Sequence, residues 1–169
     1  MSHLAQHDTL SDLPNRILLQ DRLHQAIALA SRNNTLVRVL FLDLDKFKEI
    51  NDSLGHEFGG KVLQSVVNRL LTCVRASDTV SRLGGDEFVI LLLEIKQPGD
   101  AGVKAGKILT AINTPFVIDS HRVHITASIG VATYPSDSRD PEDLIKKADK
   151  AMYKAKEQGR NNYRFQTVR

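Results

Sequence analysis

The sequence predicts an α+β domain with a mixed, mostly antiparallel central sheet flanked by helices. Two apolar runs, Val37 to Leu44 and Phe88 to Leu93, are typical of strands buried on both faces. Between them, Phe58 to Val74 repeats apolar residues at the spacing of a long amphipathic helix. The segments follow the order βααββαβ with a terminal helix, and this order favours the α+β class.

The boundaries of the elements follow from apolar periodicity and from residues that start or stop helices. Pro14 precedes the first helix, while Gly55 and Gly159 are placed to end two others. The sequence therefore predicts, in order, a helix from Arg16 to Ala30, a strand from Val37 to Leu44, helices from Phe47 to Leu54 and from Phe58 to Val74, strands from Thr79 to Leu83 and from Glu87 to Ile95, a helix from Asp100 to Ile112, strands from Phe116 to Asp119 and from Val123 to Val131, and a helix from Pro141 to Gln158.

The composition bounds the class of protein. A length of 169 residues predicts one domain, with residues 1–15 as an N-terminal segment and residues 16–165 as its core. A net charge of +3 is too small to indicate nucleic-acid binding. No apolar run approaches the ~20 residues of a membrane span, and the single cysteine, Cys73, is interpreted as a packing residue. We therefore expect a cytoplasmic domain that makes no membrane contact.

Acidic residues occur where two of the predicted strands begin or end. Asp43 and Asp45 close the first apolar run, and the second follows Gly84-Gly85-Asp86-Glu87. Glycines let a ligand approach the backbone, and carboxylates are hard oxygen ligands for Mg²⁺. An ordinary hairpin with solvent-facing acids stays an alternative for the Gly-Gly turn taken alone. The two acidic pairs together indicate a site for a phosphate ligand and a metal.

Three motifs closely resemble the diguanylate cyclase, or GGDEF, family. They are Gly84-Gly85-Asp86-Glu87-Phe88, the stretch Asp43-x-Asp45-x-Phe47-Lys48-x-Ile50-Asn51-Asp52-x-x-Gly55-His56, and Ala155-Lys156-Glu157-Gln158-Gly159-Arg160-Asn161. The resemblance runs from about His7 to Phe165. It implies the fold shared by nucleotide cyclases and polymerase palms. Domains of this family are commonly attached to sensor or EAL domains, so we expect the chain to be part of a larger protein.

The resemblance also implies a reaction and its residues. The expected enzyme is a diguanylate cyclase, a nucleotidyltransferase that condenses two GTP into cyclic di-GMP with Mg²⁺ or Mn²⁺ and is active as a homodimer with facing half-sites. By the family pattern, the metal ligands are Asp43, Leu44 through its carbonyl, Asp86 and Glu87, and Asp86 is also the candidate base. The residues expected to contact the GTP phosphates are Phe47, Lys48, Lys156 and Arg160, and Asn51 is expected to contact guanine.

A further match, Arg75-Ala76-Ser77-Asp78, is separated from Gly84 by five residues. In the family, Arg-x-x-Asp at this spacing forms an inhibitory site for the product, cyclic di-GMP. The alternative is that Arg75 complements a helix C-terminus and Asp78 opens a turn. For Asp45, a cap on the following short helix is the favoured interpretation.

The chain departs from the family at two places. Gly60 stands where an aspartate usually contacts guanine, and Ser11-Asp12 replaces Thr-Gly in an N-terminal turn that aspartate tolerates. The missing carboxylate leaves two rivals to an ordinary cyclase. One is a non-catalytic regulatory module that binds GTP or cyclic di-GMP, and the other is a cyclase that accepts ATP beside GTP.

Overall fold

The computed structural model describes residues 3–95 and 100–166. Its elements are α1 (His3–Gln6), α2 (Arg16–Asn33), β1 (Leu36–Asp45), α3 (Phe47–Leu54), α4 (His56–Thr72), β2 (Thr79–Gly84), β3 (Glu87–Ile95), α5 (Asp100–Asn113), β4 (Phe116–Ile118), β5 (His121–Val123), β6 (Thr126–Tyr134), α6 (Pro141–Glu157) and β7 (Asn162–Phe165). The main sheet has the order β2-β3-β1-β6-β7, and only its β6–β7 pair is parallel within the described residues. The predicted fold class is confirmed.

Strand β1 lies at the centre of the sheet and separates two cores. Its alternate residues Val37, Val39 and Phe41 pack in the cluster that includes residues of α2 and α6. Leu40, Leu42 and Leu44 instead pack with residues of α4 and α5. A strand with apolar side chains on both faces requires a layer of helices on each side, as the sequence predicts.

Helix α6 packs closely on strand β6 because of Gly130. A Cβ at this position would overlap the carbonyl oxygen of Ala148 and the amide nitrogen of Met152. The absence of a side chain therefore lets the helix lie directly on the strand backbone. Since β6 pairs with β1, this contact places the C-terminal part of α6 beside the end of β1.

One predicted strand is wrong in its extent. The strand expected from Val123 to Val131 is divided between β5, which forms a small hairpin with β4, and β6 of the main sheet. The hairpin turns at Asp119 and Ser120, where φ is 49° and 69°, so the predicted turn is confirmed. Sequence periodicity also missed the short elements α1 and β7, which hold four residues each. Cys73 is buried and free, consistent with packing.

Candidate active site

The end of strand β1 carries two carboxylates on one face of the sheet. Asp43 and Asp45 are two residues apart, and alternate residues of a strand share a face. Both residues are buried, with 9% and 4% of their surface exposed. A buried carboxylate needs a partner, and each of the two has a different one.

Asp43 pairs with the last turns of α6. Its Oδ2 lies 2.9 Å from Nζ of Lys156, while its buried Oδ1 has no hydrogen-bond partner among the described residues. Oδ2 is thus paired with a positive charge, whereas Oδ1 accepts no hydrogen bond from the described residues. A buried acceptor without a donor is rare in folded proteins and suits a ligand that brings positive charge.

The signature turn brings the second acid to Asp43. Gly84 and Gly85 have φ values of 150° and 51°, a backbone region that favours glycine. The amide of Leu44 donates to the carbonyl of Asp86 at 3.2 Å, which fixes the turn against the end of β1. Asp43 also lies opposite Glu87 in the β1–β3 pair. The structure therefore brings the predicted acids of both motifs together.

The charges in this site repel one another. Burial raises the pKa of Asp43 to about 6, the hydrogen bond from Lys156 opposes the rise, and the negative charge of Asp86 adds to it. The pKa of Glu87 is also raised, by burial and then by the charges of Asp43 and Asp149. Such a concentration of carboxylates is relieved by protons or by a cation.

The donor set fits a divalent cation, although it is small. Within the part of the chain that the structure describes, no three His, Cys, Asp or Glu side chains are grouped so that they could hold a metal ion. The two carboxylates that could hold a metal are the close pair Asp43 and Asp86. The family pattern adds Glu87 and the Leu44 carbonyl as candidate ligands. The unused oxygen of Asp43 is the observation that favours a metal here.

Asp149 is an acidic residue of the site that the sequence analysis missed. It lies on α6, and its pKa is raised by burial and then by the charge of Asp43. Asp149 precedes Lys156 by seven residues, a spacing that puts two side chains on the same face of a helix. That spacing is the signal that could have identified it.

The residues predicted for GTP lie on two segments beside the acids. Phe47 is buried at the start of α3, Lys48 is exposed next to it, and Arg160 is exposed after α6. No ion pair or hydrogen bond joins Lys48 or Arg160 to the acidic pair among residues 3–95 and 100–166. Asn51 is half-buried, and a Cβ at Gly59 would overlap its side-chain oxygen. The absence of a side chain at Gly59 thus leaves space for the side chain of Asn51, the predicted guanine-binding residue.

The Arg75-x-x-Asp78 motif forms a turn after α4. The carboxylate of Asp78 accepts from the Arg75 amide at 2.9 Å and from the Leu93 amide at 3.0 Å. Asp78 therefore has the structural role that the sequence analysis kept as an alternative. The Arg75 side chain is exposed, and the product site stays a prediction.

The interpretation of Asp45 as a helix cap is wrong. Lys46 occupies the N-cap of α3, and no side chain caps that helix. Strand β1 extends through Asp45, whose carboxylate accepts hydrogen bonds from the hydroxyls of Thr126 and Ser128 and from the amide of Asn161. The residue is used inside the sheet layer and not at the helix end.

Arg82 connects the N-terminal segment to the signature turn. Its Nη1 donates to both carboxylate oxygens of Asp8, at 2.8 and 2.9 Å. Its Nε and Nη2 donate to the carbonyl of Gly85, at 3.1 and 2.9 Å.

In the N-terminal turn at Ser11-Asp12, Asp12 has a positive φ of 61°. Its conformation bears out the predicted tolerance of aspartate at this position.

The chain belongs to the GGDEF family. A sequence profile described as "Diguanylate cyclase, GGDEF domain" matches residues 5–162. Membership supports the predicted enzyme class, a nucleotidyltransferase of the diguanylate cyclase type.

No helix in residues 3–95 and 100–166 combines the length and apolar character that a membrane crossing requires.

Individual relatives are similar over nearly the whole chain. The bifunctional diguanylate cyclase/cyclic di-GMP phosphodiesterase MucR of Pseudomonas aeruginosa is 52% identical over 162 residues, which are 96% of this chain and 24% of MucR. The diguanylate cyclase TpbB of the same species is 42% identical, over 98% of this chain and 38% of TpbB. The chain therefore spans between a quarter and two fifths of these relatives.

Solved structures confirm the fold. The isolated GGDEF domain of TpbB from Pseudomonas aeruginosa has a TM-score of 0.92 and 41% identity, covering 95% of this chain and 94% of that one. The GGDEF domain of DgcB from Caulobacter crescentus, in complex with c-di-GMP, has a TM-score of 0.88 and 27% identity, covering 97% of this chain and 94% of that one.

The Asp8–Arg82 pair predicts a pH dependence of stability. Burial raises the pKa of Asp8, but hydrogen bonds from Ser11 and from Arg82 outweigh this effect and hold the pKa below its ordinary value. A lowered pKa stabilises the fold above the unfolded pKa, and this contribution is lost as the pH falls through the folded pKa. Asp8→Asn should thus be less stable than wild type near neutral pH, and urea unfolding should show the difference narrowing in acid. A difference that stays constant with pH would contradict the assignment.

Proposed function

We propose that this domain is a diguanylate cyclase, which condenses two GTP into cyclic di-GMP and releases two pyrophosphates. The proposal is carried by one observation, the close pair of Asp43 and Asp86, in which the buried Asp43 Oδ1 accepts no hydrogen bond from the described residues. In each condensation a 3′-hydroxyl oxygen forms a bond to an α-phosphorus, and the bond from that phosphorus to the pyrophosphate breaks. The hydroxyl proton goes to a base, and Asp86 is the proposed one.

Asp43, Asp86, Glu87 and the Leu44 carbonyl would hold Mg²⁺ or Mn²⁺. When bound, the ion lowers the pKa of the attacking hydroxyl and offsets charge on the phosphoryl group. Lys156 Nζ lies 2.9 Å from Asp43 Oδ2, and this position beside the acids supports the proposal that it also compensates charge on the phosphates. Phe47, Lys48 and Arg160 complete the proposed phosphate-binding set.

Two subunits are needed for the complete reaction in this proposal. Each subunit binds one GTP, so the two half-sites must face each other in a homodimer, either transient or tethered by neighbouring domains. The relatives are several times longer than this chain, which supports attachment to further domains of the sensor or EAL kind. We further propose that the domain works in the cytoplasm and that cyclic di-GMP inhibits it through Arg75 and Asp78.

A regulatory binding module is the second candidate, and Gly60 is the observation that favours it. The helix offers no carboxylate at this position, so guanine recognition depends on Asn51 and on groups of the second subunit or solvent. The missing carboxylate at Gly60 also favours the third candidate, a cyclase with relaxed base choice. Both alternatives retain the fold and the acids, but the binding module would form no product, whereas the relaxed cyclase would also use ATP.

Product identification separates these candidates. Concentrated protein should be incubated with Mg²⁺ and GTP, ATP or both, and the nucleotides separated by chromatography. We expect cyclic di-GMP from wild type and a loss of at least about a hundredfold in rate for Asp86→Ala, because a metal ligand is removed. Asp21→Ala, which changes an exposed acid on α2, is the matched control. Equal rates for wild type and Asp86→Ala would leave the binding module.

Product binding through the turn after α4 gives a second test. Calorimetry should show that Arg75→Ala weakens cyclic di-GMP binding by about tenfold or more, since a guanidinium can bond a guanine edge bidentately. GTP binding should be retained. Arg22→Ala removes an exposed arginine from α2 and serves as the control. If Arg75→Ala binds the product as wild type does, the arginine belongs only to the helix end.

The Gly60 position can be tested by restoring the family's aspartate. A Cβ there would have Leu10 Cδ1 as its nearest neighbour, at 3.8 Å, which is an ordinary van der Waals contact, so a Cβ can be added without displacing that neighbour. The new carboxylate should improve GTP affinity by up to about 3 kcal/mol and should increase discrimination against ATP. Gly106→Asp, on α5 where a Cβ also has open space, controls for the cost of the glycine replacement. An unchanged base preference would show that other groups already read guanine.

A further inference from the structure

The loop between α6 and β7 has an unusual backbone. Gly159, Arg160 and Asn161 have φ values of 113°, 63° and 47°. Positive φ is uncommon for residues other than glycine, and here two such residues follow each other. The loop is closed on one side by the Arg160 amide, which donates to the carbonyl of Ala155 at 3.0 Å. A further contact is needed to hold this conformation.

Asp45 provides that contact from the end of β1. Its Oδ2 accepts from the Asn161 amide at 3.1 Å and from the Thr126 hydroxyl at 2.7 Å, and its Oδ1 accepts from the Ser128 hydroxyl at 2.8 Å. Asp45 is 4% exposed, and its bond from Ser128 is buried while those from Thr126 and Asn161 are partly buried. One buried carboxylate therefore joins strand β6 to the loop that carries Arg160.

The two carboxylates of β1 thus fix the end of α6 at two points. Asp43 pairs with Lys156, and Asp45 binds the backbone five residues further on, at Asn161. Lys156 and Arg160 are the two basic residues that the proposed function places on the phosphates. Among the described residues, no hydrogen bond or ion pair joins Asp45 to the acidic pair or to the two basic side chains. Its bonds go to hydroxyls and to a backbone amide.

We infer that Asp45 is a positioning residue for the phosphate-binding half of the site. By holding the Asn161 amide, it keeps the backbone of Arg160 in the left-handed region and so sets where the guanidinium reaches. The inference rests on the proposed function, because it needs Arg160 to contact the triphosphate. It adds a role for the second acid of the Asp43-x-Asp45 motif that is neither metal binding nor helix capping.

Calorimetry with Mg²⁺ and a non-hydrolysable GTP analogue tests the inference on folded protein. Asp45→Ala should lower the affinity for the analogue by about tenfold or more. The affinity for GMP should stay unchanged, because GMP lacks the β- and γ-phosphates. Asp45→Asn should stay within about threefold of wild type. Its amide oxygen can accept from Thr126 and Asn161, and its NH₂ can donate to Ser128. Asp21→Ala, an exposed acid on α2, should bind as wild type.

A double-mutant cycle separates positioning from general damage. If Asp45 acts through Arg160, then Asp45→Ala should cause no additional loss of affinity in an Arg160→Ala background. Should Asp45→Ala fail to fold, Thr126→Val replaces it in the same cycle, since this change removes a donor that orients the same oxygen. Equal affinity of wild type and the folded variant, or an undiminished loss in the Arg160→Ala background, overturns the inference. Wild type that binds no analogue at all would instead contradict the proposed function.

Discussion

The ion pair between Asp43 and Lys156 is the interaction on which the arrangement of the site depends. Val37, Val39 and Phe41 form an apolar face of strand β1, and the next residue on that face is the buried carboxylate of Asp43. A buried charge must be compensated, and the lysine that does so lies on the helix covering the same face. Gly130 permits this helix to approach the sheet closely. The core packing and the position of the site are therefore determined together.

Favourable contacts around the site hold an unfavourable group of charges in place. Asp43, Glu87 and Asp149 all have raised pKa values, caused first by burial and then by the negative charges of neighbouring carboxylates. The surrounding contacts are strong and directional, as in the bonds from Arg82 to Asp8 and to the Gly85 carbonyl. Such a distribution is typical of functional sites, where local stability is reduced in favour of ligand binding. It agrees with a ligand that brings positive charge.

The sequence predicted most elements because the apolar periodicities of long helices and buried strands are strong signals. It missed β7, whose four residues are too few for a period to emerge and which pairs with the distant strand β6. It placed Asp45 at a helix cap because local spacing fits that role, whereas the actual partners are 81, 83 and 116 residues away. The Asp8–Arg82 pair was missed for the same reason, with 74 residues between the partners. Local patterns therefore identify the acids, but contacts between distant segments decide their roles.

The central claim is that Asp43 is retained for its ligand and not for stability. Thermal unfolding of wild type and Asp43→Asn, each with and without Mg²⁺ and a non-hydrolysable GTP analogue, tests it most directly. Without ligand the variant should unfold at the wild-type temperature or above, because burial and the charge of Asp86 together disfavour the ionised Asp43 carboxylate more than Lys156 favours it. With ligand, wild type should shift upward and the variant should not. A variant that is less stable alone but shifts as much as wild type would show that Asp43 serves the fold.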